Sequence, residues 1–302
     1  MQKTTKLSRT VGFLASLFLS ACTVHVDTDW NIGPVESLDK ETADLSDVRS
    51  DVIELIDQAG REDVLVVFDI DNTLLAMEQG LGADQWYYWQ KDLDKNDRCN
   101  PDNAGNRFAV QGALFFVSAT RPTQPDGAEQ VRAIQDLGAP VIALTSRGME
   151  YQLQTFRELR RNGFSFGYSA IGPDGGYPKP FIPVTDGRFS LYQDGVFLTA
   201  GQHKGEMLLA LLQKTGTAMP DVIVMVDDKQ ENLDAIKETF VPLEVPVHSW
   251  RYTAEDENDK NFDRQEAASQ WRLLEEPLRQ IQRVIGPDNY DLSTAVLPPE
   301  CS

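Results

Sequence analysis

Four short apolar runs recur along this chain, and a stretch of helical periodicity precedes each one. They are VLVVF at 64–68, PVIALTS at 140–146, DVIVMVDD at 221–228 and EVPVHSW at 244–250. A run that is apolar on both pleat faces belongs in a sheet covered on both sides, which is the habit of parallel strands. The helical partners are equally legible. ADLSDVRSDVIELIDQAG places Leu45, Val48, Val52 and Leu55 on one helical face, with Gly60 as a stop. GAEQVRAIQDLG, GEMLLALLQKTG and QENLDAIKETF fill the other intervals. Strands alternating with helices of this length predict an α/β domain built on a parallel sheet. A long helix is expected over 262–285, bent at Pro277, followed by a tail at 286–302. With 302 residues, 41% of them hydrophobic, the chain can bury one large core or two smaller ones.

Two stretches break the alternation and read as insertions on the sheet. Residues 77–124 carry WYYW (Trp86 to Trp89) and the polar DKNDRCNPDNAGN, too long for a plain connection. An extended WYYW would put two aromatics on each of two faces, to serve either as cap core or as a stacking surface for substrate. Residues 164–200 contain TDGRFSLYQDGVFLTA, whose two Asp-Gly pairs, at 186–187 and 194–195, read as turns of a hairpin or meander. Both insertions are too small to be full independent domains.

Charge excludes one class of partner. The net charge is −19, and without the first 22 residues, which hold Lys3, Lys6 and Arg9, 25 basic side chains face 47 acidic ones, or −22. Such a surface repels nucleic-acid phosphates, so no nucleic-acid partner is expected. The N-terminus combines a basic start, MQKTTKLSRT, with the short apolar VGFLASLFL, which reads as an export signal rather than a membrane span. It ends in LSAC, Leu19 to Cys22, which resembles the lipobox of bacterial lipoproteins. That resemblance implies a signal peptide over 1–21 and lipidation of Cys22; the polar stretch that follows, with Gly33 and Pro34, reads as a tether over 22–43. Thr23 in place of Asp implies anchoring in the outer membrane, facing the periplasm; the alternative is an ordinary secretory signal cleaved nearby. Cys99 and Cys301 would then be the remaining cysteines, either paired or free.

Ligands of open parallel sheets bind outside the carboxyl ends of the strands. The first run ends in Asp69 and Asp71, the second in Thr145, Ser146 and Arg147, the third in Asp227 and Asp228, and Lys204 opens the helix before the third. Carboxylates crowded at one point need a cation, and an all-oxygen set favours a hard ion such as Mg²⁺. A lysine ammonium, a threonine hydroxyl and backbone N–H groups at a helix start suit a phosphoryl group. Some assignments stay open on these grounds. Lys179 and Lys229 rival Lys204, although only Lys204 sits at a helix start in this interval. Arg147 reaches substrate or pairs with an acid, Asp228 supports a metal or caps the following helix, and His203 and His248 read as structural.

The four segments FDIDNTL, VIALTSR, GQHKGEML and VIVMVDD stand in the order of the four motifs of the haloacid dehalogenase superfamily, and the chain resembles its phosphatase-type branch from Val64 to about Asn232. Within it the chain most resembles the lipoprotein and periplasmic acid-phosphatase-like groups. The resemblance implies a Rossmann-like core over 44–285, with helices on both faces of a parallel sheet and small caps near 77–124 and 164–200. It implies Asp69 as nucleophile and Asp71 as general acid and base. It gives Mg²⁺ to Asp69, Asp227 and the Asp71 backbone carbonyl, supported by Asp228. The phosphoryl group falls to Thr145 and Lys204, with Ser146 and Arg147 beside them. The expected activity is hydrolysis of small phosphorylated molecules through an aspartyl-phosphate. The alternatives are a phosphotransferase or mutase, and a non-catalytic envelope lipoprotein that keeps a metal–phosphate pocket. A response-regulator receiver fits poorly, because there the paired acids precede the phosphorylated one. Oligomeric state is not legible.

Overall fold

The computed structural model describes residues 35–285 apart from Pro178, Asp186 and the side chains of Gln282 and Ile285. The expectations for the signal peptide, Cys22, Cys301, the tail and the Asp-Gly turn at 186–187 lie outside the described residues. The strands are β1 (Leu38–Thr42), β2 (Val64–Phe68), β3 (Leu75–Met77), β4 (Thr120–Pro122), β5 (Val141–Thr145), β6 (Leu191–Gln193), β7 (Val196–Leu198), β8 (Val222–Asp227) and β9 (Val247–Tyr252). The helices are α1 (Leu45–Ala59), α2 (Asp84–Asn96), α3 (Arg107–Val117), α4 (Gly127–Asp136), α5 (Gln152–Arg161), α6 (Lys204–Thr215), α7 (Gln230–Phe240), α8 (Asp256–Lys260) and α9 (Arg264–Ile285).

Seven strands form one sheet in the order β1-β9-β8-β2-β5-β7-β6, parallel throughout except for β6. This is the α/β class that the alternation predicts. Each central strand divides its side chains between two cores. Val64, Val66 and Phe68 face one, with α1 and α4; Leu65 and Val67 face the other, with α6 and α7. β5 and β8 alternate in the same way, through Val141 and Ala143 against Ile142 and Leu144, and through Val224 against Met225. Period-two alternation with both faces apolar leaves no solvent side, and helices cover both.

Three segments differ from what the sequence predicts. The tether ends early: Leu38–Thr42 pairs in parallel with β9 and forms the sheet edge. Its pattern is almost wholly polar and gives no strand signal, because an edge strand can leave side chains in water. The WYYW run is helical, not extended. On α2, Trp86 and Trp89 lie one turn apart and turn inward, joining Leu93, Val110, Leu114 and Trp271 in a third core that ties α9 to the insertion. The 164–200 stretch ends inside the main sheet, with β7 beside β5 and the Asp194-Gly195 turn leading back to β6. Of the first insertion, β3 and β4 make a two-stranded antiparallel ribbon that brackets α2 and α3. Cys99, in the loop between those helices, is disulfide-bonded. Among the described residues no helix is long and apolar enough to cross a membrane.

β2 sits at the centre, with β5 on one side and β8 on the other. The chain leaves β2 in both directions, so strand order reverses there and a crevice opens at the carboxyl ends.

Candidate active site at the strand ends

Asp69 follows the last residue of β2 and Asp227 ends β8; both are buried, and Asp69 N–H donates to the Val226 carbonyl at 2.9 Å. Lys204, the first residue of α6, is 2% exposed and reaches between them. Its Nζ stands 2.5 Å from Asp69 Oδ1 and 2.6 Å from Asp227 Oδ2. Of the three candidate lysines it is Lys204 that bridges the acids. α6 can bring it there because Gly205 follows. A Cβ at Gly205 would run into the Ala235 carbonyl and the Thr239 side chain of α7, so only glycine allows these helices to approach so closely.

Oxygens of Asp69, Asp227 and Asp228 lie within 4.8 Å of one another, an arrangement that could hold a metal ion. Burial drives the Asp69 carboxyl well above the usual carboxylate range, Lys204 opposes the rise, and Asp227, Asp228 and Asp71 add to it. Asp228 is pushed up to about 7, by burial first and then by Asp227. Burial works to lower the Lys204 pKa, but Asp227 and Asp69 outweigh it and keep the ammonium charged. Asp228 does not cap α7; its Oδ2 pairs with Lys229 Nζ at 2.9 Å. The turn is held by Asp227, whose Oδ1 accepts from Lys229 N–H and Asn232 Nδ2, each at 2.9 Å. Lys229 also reaches Asp84 Oδ2 at 3.1 Å. Five carboxylates, of Asp69, Asp227, Asp228, Asp84 and Asp259, thus meet two ammoniums, of Lys204 and Lys229, so formal negative charge is in excess. A divalent cation suits both that sign of charge and the all-oxygen donor set.

Asp71 stands apart from the three-acid group. Its carboxylate accepts from Arg147 Nε at 3.0 Å and from Nη2 at 2.7 Å, so the arginine pairs with an acid rather than standing free for phosphate. The third nitrogen, Nη1, donates to Thr155 Oγ1 at 2.9 Å, and the guanidinium lies 4.5 Å from the Phe115 ring centroid. Thr145 is fully buried at the end of β5. Its Oγ1 accepts from Arg147 N–H at 3.2 Å, which leaves the hydroxyl proton available to an anion. Ser146 is exposed and lines, with Asp71, Arg147 and Gly201, a cavity of about 310 Å³. Its far wall comes from α2 and α3, and includes Tyr87, Tyr88 and Phe108.

Thr73, Asp84, Asn232 and Thr155 carry contacts that the sequence reading did not assign. Thr73 is the threonine of FDIDNTL, and its Oγ1 accepts from Asp228 N–H at 3.1 Å, tying the loop after β2 to the end of β8. Its place in the motif was a signal for a role. Asp84 gave none, since an acid at the start of a helix is ordinary N-terminal chemistry. Burial raises it to about 6. The two histidines are structural as expected: His203 caps α6 through Nδ1, which accepts from Glu206 N–H, and His248 pairs with buried Asp51 at 2.9 Å.

A family model described as "Protein of unknown function (DUF2608)" matches residues 41–282. No curated protein matches the chain.

Proposed function

The chain belongs to the family described as protein of unknown function (DUF2608), and we propose that it is a Mg²⁺-dependent phosphohydrolase acting on small phosphomonoesters. The observation that carries the reading is Lys204 Nζ, held 2.5 Å from Asp69 and 2.6 Å from Asp227 beside the third acid, Asp228. Three acids from two strand ends and a cation from a third element meet at one point. A charge cluster of that kind costs several kcal/mol of desolvation for each ion and persists where it is compensated. The order of the four segments supports the same reading through their likeness to phosphatase-type haloacid dehalogenases.

Asp69, Asp227 and Asp228 would hold the Mg²⁺, with the backbone carbonyl of Asp71. Bound there, the ion would supply charge neutralisation for the phosphoryl oxygens. The chain's own residues supply the rest. Lys204 fixes the Asp69 carboxylate in place by its 2.5 Å contact and presents positive charge to the phosphoryl group, together with the Thr145 hydroxyl. An Asp69 oxygen attacks phosphorus; the bond to the leaving oxygen breaks, and that oxygen takes a proton from Asp71. In the second half Asp71 takes a proton from water, the water oxygen attacks phosphorus, and Asp69 is released with inorganic phosphate. Arg147 aims Asp71 through two parallel hydrogen bonds.

The setting is part of the proposal: a lipid anchor at Cys22 in the outer membrane, with the site in the periplasm. Purified mature protein should release phosphate from p-nitrophenyl phosphate with Mg²⁺ and lose that release with EDTA. Asp69→Asn should remove it by at least about 10³-fold. Equal, negligible release by both proteins would replace the hydrolase with a binding protein.

A further inference from the structure

The charges around the 310 Å³ cavity do not cancel. Its lining sets Lys91, Arg147 and Arg188 against Asp71 and Asp84; Asp71 pairs with Arg147, and Asp84 shares Lys229 with Asp228 and Asp259. Lys91 and Arg188 line the same cavity and have no carboxylate partner among the described residues. Arg188 Nη2 meets only the Gly201 carbonyl, at 3.5 Å, and the Lys91 ammonium lies 5.6 Å from the Tyr88 ring centroid. In a chain with 47 acidic and 28 basic side chains, two uncompensated cations facing one cavity are unexpected. Neither pairs with Asp69, Asp227 or Asp228, whose ammonium partners are Lys204 and Lys229.

The walls add a second preference. Tyr88, Phe108, Phe115 and Tyr151 give the cavity ring surface, and Phe115 and Tyr151 stand edge to face at 6.0 Å. Aromatic walls favour a planar ring, which can stack or meet them edge-on. The volume lies near the lower end of the range of about 300–1,000 Å³ for ligand pockets, which suits one small ring system.

We infer that the cavity beside Asp71 takes an aromatic leaving group that carries a second negative charge, with Lys91 and Arg188 binding that charge. The inference rests on the hydrolase reading and narrows its substrate to ring-bearing phosphomonoesters with an additional anion.

The test compares 4-carboxyphenyl phosphate with 4-chlorophenyl phosphate, whose leaving group is similar in acidity but lacks the charge. With full-length mature protein and Mg²⁺, kcat/KM should favour the carboxylated ester about tenfold, the equivalent of about 1.4 kcal/mol. In the double variant Lys91→Gln, Arg188→Gln that ratio should fall to about one. Both side chains are exposed, so the variant should keep its fold. A ratio near one in the unaltered protein, or an unchanged ratio in the double variant, overturns the inference while the hydrolase reading stands. Absence of Mg²⁺-dependent release from every ester overturns both.

Discussion

Arg147 and Asp71 lie 76 positions apart and meet side by side, Nη2 at 2.7 Å from Oδ1 and Nε at 3.0 Å from Oδ2. The arginine is 7% exposed and is fixed from behind by Thr155 and Phe115. Such a fork orients a carboxylate far more tightly than a lysine could. If Asp71 is the proton donor, Arg147 is a positioning residue, and its removal should be felt in proportion to the need for protonation. Arg147→Ala should slow an alkyl phosphate about 100-fold and an activated aryl phosphate such as 2,4-dinitrophenyl phosphate only a few-fold, within the range of about 10²–10⁴ for general acid catalysis. Steady-state rates across a series of leaving groups check this. An equal loss for all of them would make the pair structural.

Lys204 joins two buried carboxylates, so its loss should cost stability as well as activity. Lys204→Met should lower unfolding free energy in EDTA by about 3–5 kcal/mol, the usual cost of leaving a buried charge unpaired. Mg²⁺ should return part of that stability without returning turnover. Denaturant unfolding with and without Mg²⁺ measures it. A loss under about 1 kcal/mol would mean that the acids are not ionised around the lysine.

The acid cluster also sets a pH dependence. Burial first, then Asp227, raise Asp228 from 3.8 to about 7. The folded chain therefore holds that proton more tightly than the unfolded chain does. The stability from this group is fully present below about pH 4, and it is lost as pH rises through about 7. Asp69 is displaced in the same direction. In EDTA, Tm should fall between pH 5 and pH 8, and Mg²⁺, by replacing the proton, should raise Tm more at pH 8 than at pH 5. Asp228→Asn should flatten the slope. A Mg²⁺ effect of equal size at both pH values would contradict the assignment.

Gly205 lets α6 lie close to α7 and so fixes the position of Lys204. Gly205→Ala places a methyl group against the Ala235 carbonyl and Thr239. Overpacking of this kind costs about 1–3 kcal/mol. Displacement of the Lys204 end of α6 should lower kcat at least tenfold, since about 1 Å of misplacement can cost 10²-fold. Thermal melts and kcat from one preparation test both. Unchanged kcat would show that the lysine finds its place independently of this helix contact.

The sequence by itself determined the sheet. VLVVF, VIAL and VIVMV are apolar at every position, and amphipathic helices separate them, so only a parallel arrangement buried on both sides satisfies them. It also placed acids, a threonine and a lysine at strand and helix ends, because the ends of such strands share one rim. Tertiary structure decided what periodicity does not encode. The edge strand Leu38–Thr42 exists because β9 offers it an unpaired backbone, not because its side chains demand it. The aromatics of α2 separate into core Trp86 and Trp89 and cavity-facing Tyr87 and Tyr88 only when α3 and α9 pack on one side. Pairing among charges lies furthest from the sequence. Lys204 rather than Lys229 bridges Asp69 and Asp227, and Arg147 turns to Asp71, because side-chain reach and burial in three dimensions select each partner. Charge alone makes every acid in the chain an equal candidate.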